Sequence, residues 1–271
     1  MIAKLDIHSF FRPLQPTVAG DDETVRYREL LPDSRLRPFV FCYWQLSTRQ
    51  RLEEPFLYRV VADGCMDVFI DRNDPSKNYL MGFSTKHTEF ALTGNFHYIG
   101  IRFLPTALPL IYRMDASQLT DRVESLEQVL PGVANDLANL LSEQRSMDSI
   151  KTALDTYLLR ALSDSSPKIQ APLFRAIDTI LQSQGNLTHG QDLDSGISAR
   201  QLRRLFALFV GDSPKVFSRV VRFQRLLYLQ SLDQTRNNEK LYYSLGYYDQ
   251  AHFIKEFKNF YGQTPFHATR S

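Results

Sequence analysis

Cysteine is scarce in this sequence, with only Cys42 and Cys65. Two thiols are too few for a disulfide scaffold or a CxxC metal site. They suit the reducing cytosol, the cytoplasmic setting expected here, with a Cys42–Cys65 bond as the less favoured alternative. Long apolar runs are missing too. No stretch of 18 or more apolar residues exists, so no membrane-spanning helix is expected. The start, Met1 to His8, has an early Asp6 and no apolar run of 7–15 residues, unlike a secretory signal. GxGxxG, P-loop, HExxH and GxSxG motifs are all absent. His8, His87 and His97 lie too far apart to form a close metal-ligand pair. These absences argue against an enzyme: no catalytic residue, no metal and no cofactor is expected.

A dominant charge of one sign is also lacking, since 32 basic residues face 30 acidic ones. The balance hides a division. Residues 1–167 carry 18 Lys and Arg against 22 Asp and Glu, while residues 168–271 carry 14 against 8. A net −4 half is therefore joined to a net +6 half. A basic domain of this kind suits a polyanion, because neutralising phosphates supplies most non-specific nucleic-acid affinity. A length of 271 residues favours two domains, and 43 % apolar with 23 % charged residues is ordinary globular composition.

The halves differ in periodicity. Residues 38–46, 56–61, 65–70 and 96–104 are rich in β-formers and separated by turn residues such as Asp63-Gly64 and Thr93-Gly94-Asn95. Such spacing predicts a sandwich or small barrel. Helices are predicted over 105–112 and 117–130, the latter from Leu119, Val123, Leu126 and Leu130. A helical pair follows over 133–162, packed on the sheet or used between subunits. The polar run Ser163-Asp164-Ser165-Ser166-Pro167-Lys168 reads as a linker. The expected division is a β-rich domain at 1–131, a helical connector and dimerisation segment at 132–167, and a helical domain at 168–271.

The basic half is internally duplicated. Ser198 is placed to cap a helix over 199–209 with Leu202, Leu205, Phe206 and Phe209 inward and Arg200, Arg203 and Arg204 off that face. About fifty residues later, a short helix over 240–245 and the turn Gly246-Tyr247-Tyr248-Asp249 lead into a second such helix from Gln250. Leu202 and Phe206 correspond to Phe253 and Phe257, and Arg204 to Lys255. Gly211-Asp212-Ser213-Pro214 corresponds to Gly262-Gln263-Thr264-Pro265. Each copy has the helix-turn-helix layout, whose second helix enters the major groove. A single helix over 214–231 would join them. At 1.5 Å per residue it spans roughly 27 Å, near the roughly 34 Å between successive major-groove windows.

Residues 171–271 resemble the DNA-binding domain of the AraC/XylS transcription regulators. The stretch from Leu245 to Lys258, closed by Tyr261-Gly262-Gln263-Thr264-Pro265, follows that family's pattern of Gly, aromatic, Asp-Gln, small and Phe, then basic, Phe, Gly and Pro. Residues 30–131 look more loosely like the sensor domains of some members, through Leu36-Arg37-Pro38-Phe39-Val40, Tyr43-Trp44, the run from Ala62 to Asp67, and Gly100-Ile101-Arg102-Phe103. The resemblance implies an α+β chain: a β-rich, cupin-like sensor followed by an all-α domain with two helix-turn-helix motifs. It implies a sequence-specific regulator, more an activator than a repressor. Double-stranded DNA and RNA polymerase would be partners, with a small-molecule effector and a homodimer also in keeping. DNA contacts would come from Arg200, Gln201, Arg203 and Arg204 in the first motif, and from Gln250, Ala251, His252 and Lys255 in the second. Aromatics such as Tyr43, Trp44, Phe56, Phe69 and Phe103 are candidates for a sensor pocket or for its core. Two departures stand out. The family's apolar-Ala pair early in each motif is replaced by Gln191-Asp192 and Leu241-Tyr242, which should change the local packing. The competing reading is an interaction protein whose degenerate motifs no longer bind DNA specifically.

Overall fold

A computed structural model describes residues 11–18, 23–166, 170–187, 193, 195–232 and 239–268. Eight strands come first: β1 (Val25–Leu30), β2 (Val40–Thr48), β3 (Leu52–Val60), β4 (Met66–Asp71), β5 (Asn78–Met81), β6 (Thr88–Gly94), β7 (His97–Phe103) and β8 (Val123–Ser125). Six form one sheet in the order β1-β2-β7-β4-β5-β8, and β3 pairs with β6 in a second sheet. All pairings are antiparallel.

Alternation assigns the faces of the large sheet. Tyr43, Met66, Val68, Ile70, Ile99, Ile101 and Phe103 point to one side. That side is covered by helices α1 (Ala107–Tyr112), α2 (Leu126–Val129), α3 (Pro131–Glu143) and α4 (Met147–Ser165), through Leu108, Leu126, Leu137, Leu141, Ile150, Leu154 and Leu158. The stripes of the 133–162 pair are thus used on the sheet. Cys42, Trp44 and Leu46 point the other way, toward Tyr58 and Val60 of β3. Both cysteines are buried free thiols, and burial pushes each thiol up.

The helix expected over 117–130 is not formed. A 3-10 turn at Ala116–Leu119, strand β8 and the short α2 take its place. Asp115 caps the turn, accepting from the Ser117 N–H at 2.9 Å. Asp121 adopts a left-handed φ of 58° and its carboxylate accepts from Thr85 N (2.7 Å) and Thr85 Oγ1 (2.6 Å). Val123 and Ser125 then pair with β5 at the sheet edge. Tertiary bonds to the 82–87 loop override the helical periodicity.

The carboxyl-terminal helices are α5 (Ala171–Gln182), α6 (Ala199–Phe209), α7 (Pro214–Leu232), α8 (Glu239–Ser244), α9 (Gln250–Tyr261) and α10 (Pro265–Ala268). Their core is continuous with the β-rich domain: Phe11, Val61, Ala62, Phe83 and Leu104 cluster with Phe206, Phe217, Val220, Phe223 and Phe260. Among the described residues no helix is long and apolar enough to cross a membrane.

Arg102, on β7, has no solvent exposure. Its Nε and Nη2 donate to the two Asp67 oxygens at 3.2 and 3.1 Å. Asp63 lies 3.5 Å away and Glu29 3.7 Å. Removing one partner of a buried pair strands the other charge. Arg102→Met should therefore cost about 3–5 kcal/mol, read as a lower denaturant midpoint; an unchanged midpoint would show that the carboxylates do not need this cation.

Candidate nucleic-acid interface

Helix α6 begins with a capping box. Ser198 Oγ accepts from the Gln201 N–H, and Gln201 Oε1 accepts from the Ser198 N–H at 3.1 Å. Leu202 and Phe206 face the core, while Arg200, Gln201, Arg203 and Arg204 are exposed. Helix α9 is capped by Asp249, which accepts from the His252 N–H at 2.7 Å. Phe253, Phe257 and Phe260 are buried; Gln250, Ala251, His252 and Lys255 are exposed.

The amino-terminal ends of α6 and α9 open onto one cleft of about 1520 Å³. Of the eight expected DNA-contacting residues it brings together Gln201, Arg203 and His252. Arg200, Arg204, Gln250, Ala251 and Lys255 are on exposed helix surface outside its lining. The side-chain oxygen of Gln201 is engaged in the cap, which leaves its amide NH₂ to face outward.

Residues not expected from the motifs complete the cleft. Lys215, Arg219 and Arg222 of α7 and Tyr248 in the second turn all line it. Their signal was present as a basic i, i+4, i+7 row on α7, and as an aromatic in a turn, where it is 87 % exposed. Among the described lining residues four are Arg or Lys and none is Asp or Glu.

Beneath this surface Glu256 of α9 is 2 % exposed. It accepts from Arg219 Nε at 2.6 Å and from Arg222 Nη2 at 2.7 Å. The Arg222 guanidinium stacks over the Tyr247 ring at 4.2 Å. Burial disfavours its charge, but Glu256 more than compensates and its pKa is raised. The carboxylate therefore ties α9 to α7, the helix between the two motifs. The expected disturbance at Tyr242 takes a specific form: its ring lies flat on Phe253, 5.3 Å centroid to centroid and 8° from parallel. Gln191 and Asp192 fall outside the described residues.

Residues 194–271 match a family model described as a helix-turn-helix domain. The carboxyl-terminal domain is of the AraC type. Residues 28–125, ahead of this AraC-type domain, match a domain of unknown function, DUF6597. No curated protein matches the sequence. Among solved structures, the chain is similar to ToxT of Vibrio cholerae O395, at 11 % identity over 92 % of this chain and 98 % of that one, with a TM-score of 0.38. The same protein bound to (E)-4-(8-methylnaphthalen-1-yl)but-3-enoic acid aligns at 11 % identity over 91 % and 99 %, with a TM-score of 0.41. ToxT from V. cholerae strain SCE256 bound to an unsaturated fatty acid gives 11 %, 91 % and 95 %, and 0.39.

A second cavity, of about 210 Å³, lies in the β-rich domain between its two sheets. Trp44, Tyr58, Phe69, Tyr79, Phe90 and Tyr98 line it together with Asp67. Of the aromatics considered from sequence, Trp44 and Phe69 reach this cavity. Tyr43 and Phe103 are core under the helices, and Phe56 packs on Phe96 outside the lining. The buried Trp44 indole N–H lies beside the Asp67 carboxylate and favours its charged form. Burial pushes the Asp67 carboxyl up to about 6 against the pull of Arg102.

Truncating Glu256 would leave two guanidinium groups without their shared carboxylate. Glu256→Ala should cost about 3 kcal/mol, read by circular dichroism during chemical denaturation. A loss too small to measure would show that the triad is not a structural tie.

Proposed function

We propose that the chain is a transcription regulator whose helices α6 and α9 read adjacent major-groove windows, and whose β-rich domain takes a small apolar effector. One observation carries the first part: the amino-terminal ends of both reader helices face a single cationic cleft. Helix amino-termini favour anions, and the Arg and Lys around them are suited to phosphate. Arg pairs bidentately with guanine and Gln with adenine, so the arginines of α6 and Gln250 of α9 have the chemistry to read base edges. Activation, and contact with RNA polymerase, follow from the family resemblance.

The test is footprinting of the purified chain across its own promoter region, then titration of the protected duplex. Arg204→Ala and Lys255→Ala should each weaken specific binding by about 1–3 kcal/mol. Lys215→Ala should weaken all sequences alike and lower the salt slope by about one. Absence of any sequence-specific complex at physiological salt would favour the interaction-protein reading. Unchanged affinity in both the Arg204 and Lys255 variants would contradict the reader assignment.

The effector part is supported by the aromatic cavity, where Asp67 and the Trp44 N–H beside it offer polar groups in an otherwise apolar lining. A panel of small apolar compounds, screened by thermal shift, should yield some that raise the melting temperature, since a ligand that binds only the folded state stabilises it. Leu92→Trp, which fills the cavity from β6, should abolish that rise. Equal shifts in both proteins would place the ligand elsewhere, and no shift across the panel would remove the effector reading.

A further inference from the structure

The two reader helices end on equivalent glycines. Gly211 follows α6 at φ 116° and Gly262 follows α9 at φ 95°. Positive φ suits a helix carboxyl-terminus, and glycine adopts it without strain. Both also touch the β-rich domain, and at neighbouring places. A Cβ on Gly211 would come within 2.8 Å of Phe83 Cβ and 3.1 Å of Thr120 Oγ1. A Cβ on Gly262 would come within 2.7 Å of His87 Cδ2 and 2.8 Å of Arg59 Nε. A side chain at Gly211 would press on the Phe83 Cβ, and one at Gly262 would require His87 and Arg59 to move aside.

Hydrogen bonds fix both contacts. Thr120 Oγ1 donates to the Gly211 carbonyl at 2.6 Å. Beyond α9's own last bonds, His87 N donates to the Asn259 carbonyl at 3.0 Å and Ala62 N to the Phe260 carbonyl at 3.2 Å. These are carbonyls of the last turn, which a helix cannot satisfy by itself. Asn259 Nδ2 donates in return to the Thr85 carbonyl at 2.7 Å. Residues 83–87 and 119–121 form one surface, because Asp121 holds Thr85 through two bonds and its N–H donates to the Phe83 carbonyl at 2.9 Å.

We propose that this surface of the β-rich domain sets the separation and tilt of the two reader helices by seating their closing glycines side by side, with Thr120 and Asn259 as positioning residues. The inference rests on the reading that α6 and α9 enter DNA. The contacts lie at the carboxyl-terminal ends, away from the cleft, so the docked arrangement is the one competent to bind. An autoinhibitory lock would cover the readers; this surface leaves them exposed.

The test uses full-length protein and duplexes that the wild type selects from a random pool. One duplex carries both windows, and others carry a single window or one to two extra base pairs between windows. The combined variant Thr120→Val, Asn259→Ala should bind the two-window duplex about tenfold more weakly, because loosened modules lose effective concentration. It should bind single-window duplexes within about twofold of wild type and tolerate the inserted base pairs better. Equal losses on one and two windows, no loss, or tighter binding would each overturn the proposal. A DNA-free readout separates it from failure of the regulator reading. Spin labels at Gln201→Cys and Lys255→Cys should give a narrow distance distribution that broadens in the combined variant; a distribution that does not broaden overturns the proposal even if no duplex is ever selected.

Discussion

A guanidinium sealed from water constrains more of this molecule than any other single group. Arg102 is stable inside the sheet only with counter-charges arranged around it, since burying an unpaired ion costs several kcal/mol or more. Asp67 supplies a bidentate contact from β4, and Asp63 a second charge from the turn before it. Asp63 is itself held: it accepts from Cys65 N at 2.9 Å and from Gln15 Nε2 at 2.8 Å. Gln15 also exchanges hydrogen bonds with Val61. One residue earlier, Leu14 N donates to Gln224 of α7 at 2.7 Å, and Gln224 Nε2 donates to the Ala62 carbonyl at 2.8 Å. A polar chain thus runs from the wall of the cavity, through the buried cation, to the helix between the two readers. Each link is buried or partly buried, so each must stay paired.

The two helix-turn-helix copies have diverged where they meet that helix. In the first copy the position equivalent to Glu256 is Leu205, a half-buried hydrophobe. An apolar contact there needs no particular side-chain orientation. In the second copy a carboxylate pairs with two arginines that line the cleft. This fixes α9 to the strut more directionally than packing could. The same pairing moderates the cation density of the cleft on the second side, leaving Arg203 and Lys215 as its lining cations without that carboxylate.

Much of this was legible in the sequence, for identifiable reasons. Helices α6, α7 and α9 were placed within a residue, because each has a strong apolar face and an N-cap or Pro at its start. The four long, aromatic-rich strands were legible too. Strands β1, β5 and β6 were not: β1 and β6 are half-exposed, and β5 is four residues long. The lost helix at 117–130 had the right period, but the Asp121–Thr85 bonds that break it connect residues 36 apart, beyond any local pattern. For the candidate site, the motif pointed to α6 and α9 but not to the side chains that surround them. Lys215, Arg219 and Arg222 belong to a helix read as a spacer, and their convergence with Arg203 depends on how that helix crosses both motifs. Glycines 211 and 262 were legible as a repeated pair but not as a docking contact, since a docking partner leaves no trace in a glycine.

The two ends of α6 and of α9 offer opposite chemistries, and this bears on how the domains can communicate. The amino-terminal ends carry unsatisfied N–H groups and a partial positive charge, which suits a polyanion. The carboxyl-terminal ends carry carbonyls, and the β-rich domain answers them with Thr120, His87 and Ala62 as donors. Neither partner competes with the other for groups on the helix. At 11 and 12 residues, α6 and α9 are about 16 and 18 Å long, and short helices of this kind move as rigid rods. A small tilt applied at one end is therefore delivered at the other with little loss. Part of this donor surface, including His87, is the connection between β5 and β6, and both strands also wall the aromatic cavity through Met81, Tyr79, Phe90 and Leu92. A rearrangement of those walls has a short covalent path to the feet of both readers, whereas the polar chain through Arg102 reaches only the strut between them.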